Sequence, residues 1–272
     1  MTTSPDERCP RPAHGATLEG DLEPEAGAAP DHAPPPEHGQ TQRRVGLLEG
    51  LTTTRAIRRY TTEPVTDDQL ATIMWAATRA PSGSNRQPFR FVVLRDGERA
   101  HQARRLLGQA ARQAWDHKRR VDSYDTGSGA VEGSPKARMV LAMEHYTDHM
   151  AEAPVIVLAC IIRYRAPSAS EGASVYPACQ NLLLAARAIG LGGVLTGLQG
   201  LVEPELRAVL EIPEGVGLSA TITLGHPQGH HGPVRRRPLG ELVYEDGWGQ
   251  SPRWAVDPPG TRFTAAGPPR SS

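Results

Sequence analysis

The sequence predicts a mixed protein of helices packed over a few strands, an α+β or α/β sandwich. Three observations carry that expectation. Hydrophobic periodicity switches repeatedly between helical and extended spacing along residues 45–250. The run Pro154–Ile162 is apolar throughout and of strand length, as in a strand covered on both faces. Helical and extended segments are interleaved along the chain, which favours layered packing around one core.

Taken in order, Thr66-Asp67-Asp68 reads as an N-cap with an acidic first turn. Leu70, Ile73, Met74 and Ala77 then share one helical face until Pro81 ends the helix. Phe89–Leu94 (FRFVVL), β-branched and aromatic, reads as a strand. Glu98 to about Arg120 reads as a charged, partly exposed helix, and residues 122–137 are rich in turn formers. After the apolar strand, Ser174–Ile189 reads as a helix with Cys179, Leu182, Leu183 and Ala186 on one side. Gly192–Thr196 is a short strand, Pro204–Leu210 a helix and Leu218–Leu224 (LSATITL) a strand; no internal repeat is visible.

The flanks differ in composition. Residues 1–44 hold eight prolines and eight carboxylates with almost no aliphatic side chains, and residues 251–272 hold five prolines. Such segments bury too little apolar surface to offset the entropy of ordering, so both are expected to be disordered tails around one domain at 45–250. The 30 basic and 30 acidic side chains of the 272 residues cancel. The chain therefore has no overall field for gripping nucleic acid or an anionic membrane, and any basic function must be local. The longest apolar run, Ala153 to Ile162, is about half of what a membrane span needs. The polar N-terminus lacks a signal-like apolar core. Cys9, Cys160 and Cys179 form no paired framework. A soluble, cytoplasmic protein without nucleic-acid or membrane partners is expected.

Several chemistries are absent from the pattern. The glycine-rich stretch Gly190–Gly197 has Leu195 where a dinucleotide fingerprint needs its third glycine, and it lacks the GK[ST] of a phosphate loop. His145 and His149 would share a helical face, but the order is not HExxH and no third ligand is evident. His226, His230 and His231 sit in a Gly/Pro-rich loop, so no metal site is expected. Cys160 and Cys179 lie on apolar segments, as buried structural thiols do.

Two polar clusters remain. Thr52–Tyr60 carries Arg55, Arg58 and Arg59, either a solvated face or guanidiniums for a phosphate. Ala80–Phe89 joins a helix end to a strand and carries Ser82, Asn85 and Gln87. These neutral donors and acceptors suit a planar heterocycle with alternating C=O and N–H edges.

Together these clusters resemble the FMN-dependent nitroreductase family, over about residues 47–248. Thr54-Arg55-Ala56-Ile57-Arg58-Arg59-Tyr60 resembles the family's R-x-S-x-R-x-[FY], with Thr54 and Ala56 in place of the usual Arg and Ser. Pro81-Ser82-Gly83-Ser84-Asn85-Arg86-Gln87-Pro88-Phe89 matches P-S-x-x-N-x-Q-P-[WF] in full. Tyr176–Arg187 and Gly190-Leu-Gly-Gly are similar to its central helix and following strand, and Gly225-His226-Pro227 and Arg235-Arg-Arg237 to its closing segment.

The resemblance implies a three-layer α/β/α sandwich, an intertwined homodimer and one FMN at each interface. Arg55 and Arg58, joined by Arg235 and Arg237, would meet the FMN phosphate or ribityl chain, and Arg59 beside them would also touch the cofactor. Pro81, Ser82, Gly83, Asn85 and Gln87 would line the flavin, and the backbone at Leu195, Thr196 and Gly197 would face the ring, with an N–H near N5. NADH or NADPH would deliver hydride to flavin N5 and a small electron-poor acceptor, such as a nitroaromatic or quinone, would take it in a ping-pong cycle that needs no side-chain acid or base. Two alternatives keep the flavin: a dehydrogenase or oxidase tailoring a metabolite, and a non-catalytic flavin-holding protein.

Overall fold

Four strands, β1 (Phe89–Leu94), β2 (Val155–Ile162), β3 (Gly192–Thr196) and β4 (Val216–Gly225), form one antiparallel sheet in the order β1-β2-β4-β3 in the computed structural model. The structure describes residues 45–229, 232 and 234–258. The tail at 1–44, the end at 259–272, and His230 and His231 lie outside the described residues.

β2 is central and buried along all but its last residue, which is why its sequence has no polar face. Its side chains alternate between two cores. Val155, Val157 and Ala159 pack with Ala220, Ile222 and Leu224 against α2 (Asp67–Ala77) and α5 (Tyr176–Ala188). Ile156, Leu158 and Cys160 face the opposite layer, made of α3 (Glu98–Val121), α4 (Pro135–His149) and α6 (Glu203–Leu210). The result is the three-layer α/β/α sandwich. Both buried thiols, Cys160 and Cys179, sit in these cores, and burial pushes each up to about 11.

The capped start of α2 is a full capping box: Thr66 Oγ1 accepts from the Gln69 N–H (3.2 Å) and Gln69 Oε1 from the Thr66 N–H (2.9 Å). Three features depart from the sequence reading. A first short helix, α1 (Leu47–Thr53), precedes the arginine segment. The turn-rich stretch ends at 134, because Ser134 caps α4 by accepting from the Ala137 N–H (3.0 Å) and Pro135 opens the helix. Residues 251–258, assigned by composition to a disordered tail, hold a buried Ala255; Asp257 accepts from the Leu239 N–H (3.2 Å) and Trp254 donates to Glu245 (3.1 Å). Among the described residues no helix is long and apolar enough to cross a membrane.

Candidate functional site

The arginine segment lies along the outer edge of the sheet. Ala56 bridges Gly193 of β3, and the Ile57 N–H donates to the Gly193 carbonyl (3.0 Å). Gly192 permits this approach, since a Cβ there would stand 2.5 Å from Ile57 Cγ1, while Gly193 permits the close pairing of β3 with β4, since a Cβ there would stand 2.4 Å from the Thr223 carbonyl. The far end is pinned by the closing motif. Tyr60 bridges Pro227, the Gln228 N–H donates to the Arg59 carbonyl (3.0 Å), and the Tyr60 hydroxyl lies 2.7 Å from both the Ile57 carbonyl and the Thr223 hydroxyl. Burial holds that phenol far above its ordinary range, so it serves as a neutral hydrogen-bonding strut.

This anchoring gives the arginines different surroundings. Arg55 borders a cleft of about 240 Å³ with Thr54, Ile57, Arg187 of α5 and the two glycines. Thr54 Oγ1 is shielded from solvent and has no hydrogen-bond partner among the described residues. Arg58 instead lies 6.0 Å from the centre of the Tyr146 ring and borders a second cleft of about 470 Å³, shared with His145 and His149. Three residues apart on an extended chain, Arg55 and Arg58 take opposite parity and do not converge on one point within this chain. Arg59 is exposed, and its charge, after burial, helps hold His145 below the ordinary histidine range.

The closing segment returns beside Arg55. Arg55 Nη1 donates to the Gly232 carbonyl (3.4 Å) and the Val234 N–H donates to the Thr52 carbonyl (2.9 Å). Arg235 is exposed, while Arg237 stands 4.0 Å from Glu241. On β3 Leu195 is exposed and Thr196 donates to the Thr221 carbonyl (3.3 Å); Gly197, just past the strand, is exposed as well.

The second cluster is a tight turn. Ser84, Asn85 and Gln87 have φ of 52°, 50° and 48°, left-handed values that cost a side chain energy unless the surroundings impose them. Ser82 Oγ closes the turn by accepting from the Gln87 N–H (2.9 Å), and Gln87 Nε2 reaches the Asn85 side chain (3.3 Å). Pro81, Gly83, Asn85 and Gln87 are exposed.

The two clusters stand apart in one chain. Gly193, beside the arginine segment, is paired with Leu224; Phe89, after the turn, is paired through Ile161 with Gly217. Leu224 and Gly217 are separated by about 23 Å of strand. Arg187 was not legible as a site residue in the sequence, because it lies on a helix otherwise read for its apolar face. Among the described residues no group of three or more His, Cys, Asp or Glu side chains converges to hold a metal.

A model of the nitroreductase family matches residues 51–226. The chain is 31% identical over 205 residues to an NADH dehydrogenase of Thermus thermophilus, spanning 70% of this chain and 90% of that one. It is 29% identical over 182 residues to the NAD(P)H FMN reductase of Bacillus subtilis, spanning 66% of each. The crystal structure of a nitroreductase from Desulfovibrio desulfuricans in complex with FMN superposes with a TM-score of 0.52 at 29% identity, covering 74% of this chain and 96% of that one. The chain belongs to the nitroreductase family.

Proposed function

We propose that this protein is an NAD(P)H-dependent FMN oxidoreductase, working in the cytoplasm as a homodimer, with an electron-poor acceptor such as a nitroaromatic or quinone. The observation that carries this reading is the cleft at the arginine segment. It offers the guanidiniums of Arg55 and Arg187 and the unpartnered Thr54 hydroxyl to an anionic group, in a chain whose overall charge is zero. That donor set fits a phosphate, and Thr54, which stands where the family has arginine, contributes a neutral donor there.

Arg55 and Arg187, with Arg235 and Arg237 from the neighbouring closing segment, would hold the phosphate end of FMN. Arg58 would meet the cofactor from its own side, and the β3 backbone at Leu195, Thr196 and Gly197 would orient the ring. Bound FMN supplies the redox chemistry, carrying a hydride equivalent from the nicotinamide to the acceptor. The residues of this chain then have to bind, orient and exclude water rather than exchange protons, which agrees with a site rich in arginine and hydroxyl groups.

Homodimerisation would complete the site. The Ser82–Gln87 turn, far from the arginines of its own chain, would reach the flavin held by its partner. Exposed Leu47 and Trp75 border an apolar surface with Leu184 and Ala188 of α5, a face suited to a second copy. The test is direct. The purified protein should be yellow and release FMN on heating, and it should oxidise NADH or NADPH with a quinone or nitroaromatic under anaerobic conditions. A protein that takes up no flavin would overturn the reading.

A further inference from the structure

A cleft of about 550 Å³ opens between the Ser82–Arg86 turn and the chain that leaves β2, residues 163–174. Its volume is in the range of small-ligand sites. Three guanidiniums line it. Arg163 is neutralised by a two-pronged pair with Glu171 (2.8 and 3.0 Å). Arg86 and Arg165 have no carboxylate partner among the described residues; the Arg86 guanidinium lies over the Tyr164 ring, 5.9 Å from its centre. Tyr164 is 61% exposed, an aromatic face left open at the cleft wall. Ser82, Ser84, Ser168, Ser170 and Ser174 are among the other lining residues. An exposed aromatic ring in a cleft with two guanidiniums that have no carboxylate partner among the described residues suits a ligand with a planar base and phosphate groups.

We infer that this cleft takes the phosphorylated adenosine end of the nicotinamide co-substrate, with the adenine against Tyr164 and phosphate oxygens on Arg86 and Arg165. The inference rests on the NAD(P)H-dependent reading of the chain. Continuity supports it, because Ser82 and Gly83 belong both to this cleft and to the turn proposed to line the flavin. The dinucleotide would thus run from the flavin across the turn into the cleft. The phosphate concerned is either the 2′-phosphate of NADPH or the diphosphate that both nucleotides carry.

The test titrates the full-length protein with 2′,5′-ADP, with ADP and with adenosine by calorimetry, in wild type and in the double variant Arg86→Ala/Arg165→Ala. At least one phosphorylated probe should bind more tightly than adenosine. The double variant should lose that affinity about tenfold or more, the loss expected when charged hydrogen bonds are removed. Tyr164→Ala should weaken all three probes. In turnover, KM for the preferred nucleotide should rise in the double variant while kcat and FMN content hold. Tighter binding of 2′,5′-ADP than of ADP assigns the arginines to the 2′-phosphate, and ADP binding as tightly or more tightly assigns them to the diphosphate at the 5′ side. Failure of both phosphorylated probes to bind, or unchanged affinity in the double variant, overturns the inference. Neither result touches the flavin reading, which is decided by FMN content; a flavin-free protein would still report on the cleft through the same titration.

Discussion

At one end of the sheet the Arg55–Tyr60 segment is fastened to its neighbours by backbone bridges to Gly193 and Pro227, by the buried Ile57 side chain and by the half-buried Tyr60. At the other end the Ser82–Gln87 turn is largely exposed and keeps its shape mostly through its own hydrogen bonds and three left-handed residues, with one outside bond from the Gly83 N–H to the Ser174 hydroxyl (3.4 Å). The arginine end thus depends on the core, whereas the turn end is a local device that projects polar groups outward. A segment tied into the core can position a charge against a fixed wall. A self-supporting turn can present donors to something outside its own chain, which is what a site shared between two subunits requires.

The largest effect that would break this contrast is at Gly193. Gly193→Ala places a methyl group against the Thr223 carbonyl and the Leu224 side chain, so β3 must move away from β4, taking with it the arginine segment bonded to the Gly193 carbonyl. A loss of about 3 kcal/mol is expected from such overpacking, together with loss of flavin. Urea denaturation and flavin absorbance check it. A fully stable, flavin-loaded variant would show that the edge is not packed as described.

Arg55→Ala tests the charge itself. FMN affinity should fall by about 1.5–3 kcal/mol, the range for a hydrogen bond to a charged group. Arg58→Ala should act in the same direction. Arg237→Ala should act less, since Arg237 already faces Glu241. Fluorescence titration of the flavin-free protein with FMN ranks the three.

The arginine end should also be the acid-sensitive one. Burial, with the charges of Arg59 and His149, lowers the His145 value from 6.5. A lowered value means that the neutral ring is favoured in the folded state. Stability from this residue is therefore present above pH 6.5 and is lost as pH falls below it. Melting temperature measured between pH 7.5 and 5 should fall, and His145→Gln should flatten the slope.

The smallest effect is expected in the turn. Ser84→Gly removes a left-handed side chain at an exposed position and should stabilise the protein by about 0.5 kcal/mol, the gain from relieved backbone strain less the extra freedom of the unfolded glycine. A clear loss of stability would mean that Ser84 makes a contact the turn needs.

All four strands and most helices were legible because apolar spacing is imposed by the layers that cover them. β1 coincides with FRFVVL, and the polar-free run became the central strand. α1 was not legible, since seven residues beginning after Gly46 and interrupted by Gly50 give too short a period to read. The start of α4 was available in Ser134-Pro135 but was masked by the glycines and serines before it. The chemistry was legible as two polar clusters. Their separation was not, because only strand pairing sets the distance between Gly193 and Phe89. The place of Arg187 and the lack of a carboxylate beside Arg86 and Arg165 among the described residues depend on which side chains stand nearby in space, and sequence spacing does not report that.

The central claim, that one flavin site draws its arginines from one chain and its turn from another, is tested most directly by mixing two variants. One carries Arg55→Ala and Arg58→Ala; the other carries Asn85→Ala and Gln87→Ala. Each alone should form a homodimer with little FMN. Unfolded together and refolded, then separated by different affinity tags, the mixed dimer has one site with both sets of substitutions and one with neither. It should bind about half the FMN of the wild-type dimer, at wild-type affinity. A mixed dimer as empty as its parents would contradict the account, because each site would then take its arginines and its turn from the same chain.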